Sequence, residues 1–134
     1  MGKITIVRKP KTTISEKLKE EMKKEEYLQG QVVIHCTFVN TNYIDCLIRI
    51  WKTTFLTVKN SDHKSTLHHA ENIRLYPLYT NVLYRQSHNF TLVFSSLPKD
   101  CTHFDLLEEI PEPGEFHVKN IPRNESDVYH VNIS

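Results

Sequence analysis

Eight of the 134 residues are histidine, and His63, His68 and His69 fall within one polar stretch. Imidazoles in such a cluster would serve metal ligation or proton transfer near neutral pH. A zinc site needs three or four convergent ligands at characteristic spacings. The chain has no Cys-x-x-Cys, no His-x-His and no His-Glu-x-x-His. On a strand, His68 and His69 point to opposite faces and cannot share one ion; on a loop they can. The expectation is scattered surface histidines and no metal, with these three as the candidates should a metal bind.

Nucleophilic chemistry has even less support. Cys36, Cys46 and Cys101 are the only cysteines. An odd count without paired spacing does not make a disulfide framework, so free thiols packed as small hydrophobes are expected. There is no Gly-x-Ser-x-Gly elbow and no P-loop, and three glycines leave little scope for a phosphate cradle. Glu108 and Glu109 are neighbours in sequence rather than carboxylates facing each other across a cleft. The reading is a protein that is not an enzyme and carries no cofactor.

Recognition is better provided for. Tyr76, Tyr79, Tyr84 and Arg85 cluster in Leu-Tyr-Pro-Leu-Tyr-Thr-Asn-Val-Leu-Tyr-Arg, a stretch broken by Pro77. Tyr and Arg dominate interface hot spots, and loops on a rigid scaffold are where recognition concentrates. These four residues are the candidates for binding a protein partner or a second copy of the chain.

The elements that would position them are strands. In Asn89 to Ser96, Phe90, Leu92 and Phe94 alternate with Thr91, Val93 and Ser95, the period of a half-buried strand. Val32, Ile34, Cys36 and Phe38 repeat the pattern after Gly30, and Ile44, Cys46, Ile48 and Ile50 do so again, with Trp51 out of phase. Further strands are expected at Lys3–Lys9, Thr53–Val58, Asn72–Tyr76, Phe104–Glu109, Phe116–Ile121 and Asp127–Ile133, with a polar loop over 59–66 and a looser stretch up to Ser87. Residues 15–28 are the one helical candidate, capped by Ser15 and carrying a thin stripe of Ile14, Leu18 and Met22. About eight short strands at regular spacing make a single all-β domain over 1–134, with 10–30 as a charged helical or mobile insert.

Composition bounds the partners. Hydrophobic residues are 39% and charged ones 25%, as in a globular chain. Lys+Arg 17 against Asp+Glu 16 gives a net charge of +1, which argues for no nucleic-acid partner. No apolar run reaches the length of a membrane span, so no membrane association is expected. The N-terminal residues do not form a signal peptide, and the chain reads as cytoplasmic, although a trimmed export signal would leave the same sequence.

Cys36, Trp51 and Phe-Thr-Leu-x-x-Ser-Ser-Leu at 90–97 resemble the B, C and E strands of an immunoglobulin-like domain. In that pattern the corner tyrosine would fall at Phe104 and the second cysteine at Leu106, so the resemblance implies the layout without its disulfide. Ile48-Arg-Ile-Trp-Lys-Thr-Thr-Phe-Leu, Ala70-Glu-Asn-Ile, Phe104-Asp-Leu-Leu-Glu, Asn120-Ile-Pro-Arg-Asn and Asp127-Val-Tyr are similar to uncharacterised Ig-like β-sandwich proteins of Bacteroidetes-type bacteria. That resemblance brings no activity or site residues with it. The expected function is a non-catalytic protein-binding or accessory β-sandwich module. The alternative is a small-molecule or metal-binding protein with its site between the sheets or at the His-rich loop.

Overall fold

A computed structural model describes residues 30–133. Nine strands and no helix occur among them: β1 (Gln31–Val39), β2 (Cys46–Ile48), β3 (Thr54–Thr57), β4 (Lys64–Glu71), β5 (Thr80–Val82), β6 (Ser87–Ser95), β7 (His103–Glu108), β8 (His117–Pro122) and β9 (Val128–Ile133). The protein is all-β over this range. The strand expected at Lys3–Lys9 and the charged segment before Gly30 lie outside the described residues. No helix among the described residues is long and apolar enough to cross a membrane.

The two most regular alternations find each other. β1 and β6 pair antiparallel, from Gln31 opposite Ser95 to Val39 opposite Ser87. β9 joins the other edge of β1 in parallel, placing Ile34 beside Tyr129 and His35 beside His130. Seven strands form one sheet in the order β8-β7-β3-β4-β6-β1-β9, and β2 with β5 forms a separate two-stranded ribbon. β4 serves both halves of the large sheet, pairing with β3 and with β6 across a register shift between Leu67 and His69. Such a bulge sharpens local twist and lets a strand turn the sheet round.

The inner face carries the core. Val32, Ile34 and Cys36 of β1, Phe90, Leu92 and Phe94 of β6, Leu56 of β3, Phe104 and Leu106 of β7, and Tyr129 of β9 pack into one cluster. Val33 and Val93 are buried on the opposite face, so the centre of β1–β6 is covered on both sides. The six residues expected at the core are Ile34, Ile48, Phe90, Leu92, Phe94 and Leu106. All are buried except Ile48, which is half-buried.

Four local readings need correction. Asn72–Tyr76 forms no strand: Asn72 adopts a left-handed φ of 66°, and only Leu75 bridges, to Ile50. The polar loop over 59–66 gives way to β4 at Lys64, because Ser65 points inward and its hydroxyl donates to the Ser96 carbonyl at 2.9 Å. The looser stretch before Ser87 contains β5. Ile44, expected to be buried with Cys46, Ile48 and Ile50, precedes the strand and is 72% exposed.

Candidate functional site

The β2–β5 ribbon and its loops form the most distinctive surface. Cys46 pairs with Val82, Leu47 with Asn81 and Ile48 with Thr80. A buried amide, Asn40, holds this ribbon to the end of β1. Its Nδ2 donates to the carbonyls of Ile44 at 3.0 Å, Val82 at 3.1 Å and Leu83 at 3.3 Å, while its Oδ1 accepts the Asn42 N–H at 3.0 Å. The side chain of Asn40 thus supplies partners that a separate strand ladder would have supplied.

The four tyrosine and arginine candidates fall into two groups on this surface. Tyr76 stacks on Trp51, with ring centroids 3.7 Å apart and planes 15° from parallel. The Arg49 guanidinium lies 4.9 Å from the Tyr79 ring centroid, 5.6 Å from that of Tyr76 and 5.7 Å from that of Trp51. Arg49 is also paired with Glu112. The planar, weakly hydrated guanidinium suits such a stack better than an ammonium would. Tyr84 and Arg85 occupy the turn after β5, where Arg85 lies 5.1 Å from the ring of Tyr43 and has a left-handed φ of 63°. Around both groups Tyr43, Ile44, Leu47, Leu78 and Leu83 are exposed, Tyr43 by 80%.

Sequence reasoning missed Arg49 and the role of Trp51. Trp51 is half-buried and turned toward Tyr76 rather than into the core cluster, as its phase relative to Ile48 and Ile50 allows.

Beneath the ribbon is a cavity of about 210 Å³, lined in part by Ile48, Arg49, Trp51, Phe90, Glu108 and Phe116. Glu108 follows Phe104 and Leu106 on the inner face of β7 and is 4% exposed. Its Oε2 accepts the Trp51 backbone N–H at 3.2 Å. Burial pushes this carboxyl above the ordinary range, against the opposing pull of the Trp51 N–H and the Arg49 charge. The period from Phe104 through Leu106 to Glu108 was the available sequence signal.

The histidine candidates do not come together at a site. His63 Nε2 shares a hydrogen bond with Ser65 Oγ at 2.8 Å, and His68 and His69 lie on β4 rather than on a loop. Among the described residues no group of three or more His, Cys, Asp or Glu side chains converges. A histidine pair does occur elsewhere: His35 and His130 face each other across β1 and β9 with ring centroids 5.0 Å apart. His35 Nδ1 lies 2.9 Å from Thr91 Oγ1, and burial followed by the neighbouring His130 pushes its pKa down to about 4.

All three cysteines are free. Cys101 Sγ donates to the His103 backbone carbonyl at 3.1 Å rather than to an imidazole. Comparison with protein-family models, curated proteins and solved structures finds no match.

Proposed function

We propose that this chain is a non-catalytic binding or accessory module that docks a protein partner on the β2–β5 face. One observation carries the reading. Among the described residues, the strongly exposed large hydrophobic side chains are Val39, Tyr43, Ile44, Leu47, Tyr76, Leu78, Tyr79, Leu83 and Tyr84, all within 39–47 and 76–84. Scattered exposed apolar residues need no explanation, whereas a concentration on one face marks an interaction surface. Aromatics anchored by arginine suit the centre of such an interface, since they bury much area at small entropic cost. The partner would present an apolar surface with carboxylates positioned for Arg85.

The immunoglobulin-like layout belongs to this reading. It is supported by the antiparallel pairings of β1 with β6, β4 with β6, β3 with β7 and β7 with β8. These correspond to the B–E, D–E, C–F and F–G pairs of that architecture. β9 departs from it by lying parallel to β1, and β4 by joining the two groups of strands. The kinship with Bacteroidetes-type sandwich proteins rests on the sequence phrases alone. A cytoplasmic location is supported by three free thiols, which suit a reducing compartment.

The test is co-purification from the native host with the parent chain and with Tyr79→Ala, followed by titration of the captured partner after purification. Tyr79→Ala should leave the fold intact and weaken binding by on the order of 1–2 kcal/mol or more. Sedimentation identifies a second copy of the chain as the partner if the parent dimerises and the variant does not. Equal association of parent and variant in both experiments refutes the reading.

A further inference from the structure

The cavity under the ribbon contains polar groups that its own walls leave unmatched. Glu108 is buried with the Trp51 backbone N–H on its carboxylate, and among the described residues no cation forms an ion pair with it; the nearby Arg49 pulls on it through space but is paired with Glu112. Trp51 Nε1 and Arg49 Nε are buried donors with no acceptor among the described residues. A buried carboxylate whose nearby cation is committed to a second carboxylate, and a buried N–H without an acceptor, each cost free energy that a matching ligand would recover.

We propose that this cavity binds a small organic amine, with its ammonium on the Glu108 carboxylate and its apolar body against Trp51, Phe90 and Phe116. The local charge balance selects a cation: Glu115 adds a negative charge close enough to influence Glu108, and Glu112 offsets Arg49. The aromatic walls also favour a cation over an anion. The two unmatched donors call for one acceptor oxygen on the ligand. Size sets the rest: a dry cavity of about 150 Å³ takes up benzene, so about 210 Å³ accommodates one ring with a short tail. The cavity shares Leu47, Arg49 and Trp51 with the docking face, but Tyr79 does not line it and Glu108 is buried beneath that face, so Tyr79→Ala tests docking and Glu108→Gln tests this inference.

The probes are 2-amino-1-phenylethanol and its uncharged counterpart 1-phenylethanol, followed by protein NMR. The amine should bind saturably at millimolar concentration, shifting the Trp51 indole N–H resonance, and about tenfold or more tightly than the alcohol. Glu108→Gln keeps an oxygen for the Trp51 N–H; it should weaken the amine about tenfold while leaving the alcohol unchanged. If that variant does not fold, a pH series on the parent decides. The amine stays protonated throughout, so its affinity should fall on acidification as Glu108 takes up a proton. No saturable binding, equal binding of the two probes, an unchanged Glu108→Gln, or an affinity independent of pH would overturn the proposal.

Discussion

The rings of Phe104 and Tyr129 meet edge to face, with centroids 4.9 Å apart and planes at 75°. Phe104 lies on β7, second in the sheet order, and Tyr129 on β9, the last strand. A flat sheet would hold these strands far apart, since neighbouring strands are spaced about 4.8 Å. The contact therefore requires the seven strands to curl nearly to closure, with the core cluster inside. Tyr129 completes the join with its hydroxyl, which donates to Asp127 Oδ1 at 2.7 Å and accepts the Asn124 N–H at 3.1 Å. Asp127 is in turn gripped by Arg123 through bonds of 2.8 and 3.0 Å.

This closure is expected to carry much of the stability. Phe104→Ala should cost roughly 3–5 kcal/mol, as large aromatic truncations in cores do. Tyr129→Phe keeps the ring contact and loses only the hydroxyl bonds, so it should cost about 1–2 kcal/mol. Urea unfolding of the two variants measures both. Equal losses would mean that the ring contact does not hold the sheet closed.

The parts of this fold legible in the sequence are those where one strand carries both its pattern and its burial. Phe90, Leu92 and Phe94 alternate without interruption, and both they and their partners on β1 are buried as expected. β4 was hidden because His68 and His69 look like loop residues, and its inward Ser65 is satisfied by the carbonyl of Ser96, 31 positions away. The aromatic face was half legible. Tyr76 and Tyr79 declare themselves by type, while Arg49 and Trp51 reach them only through a bridge between Ile50 and Leu75 that no local pattern announces. Ile44 kept the phase of its neighbours yet fell outside the strand, because the chain turns at Asn40–Asn42 and pairing starts only at Cys46.

The cysteines give a direct chemical check. Denatured, unreduced protein should titrate three thiols, since Cys36, Cys46 and Cys101 are all free. In the folded protein Cys36 should be inert, because burial pushes its thiol well above the ordinary range. Cys101 is also buried, so the half-buried Cys46 should react first. A fast native reaction at Cys36, mapped by mass spectrometry, would contradict the packing of β1.

Acid should weaken the fold through His35. Its pKa falls from 6.5 to about 4 on folding, so between these values the unfolded chain binds the proton more readily. Stability is then fully present above pH 6.5 and is lost progressively as the pH falls to about 4. His130, also pushed down by burial, acts in the same direction. Because the His35 ring is only partly shielded, the loss should be about 1–2 kcal/mol rather than the full linkage value. His35→Gln should remove most of this slope from urea midpoints measured across the interval. A slope identical in parent and variant would show that the His35–His130 pair does not couple folding to protons.

Asn40 should prove the residue on which the docking face depends, although its side-chain hydrogen bonds go to Ile44, Val82, Leu83 and Asn42 rather than to the candidate aromatics. It is 1% exposed, and its amide serves three carbonyls and one N–H around the root of the ribbon. Asn40→Ala leaves those groups unmatched and should cost about 2–3 kcal/mol. Asn40→Asp should be worse, because a carboxylate would face the three carbonyl oxygens with no hydrogen to offer. The damage should be local: amide exchange should quicken across Cys46–Ile48 and Thr80–Val82 while β1 and β6, paired along their whole length, stay protected. A stability change within about 0.5 kcal/mol, the usual range for surface substitutions, would mean that something other than this amide fixes the ribbon. Uniformly faster exchange would mean that the ribbon and the large sheet open as one unit, and that the aromatic face cannot be loosened without unfolding the whole.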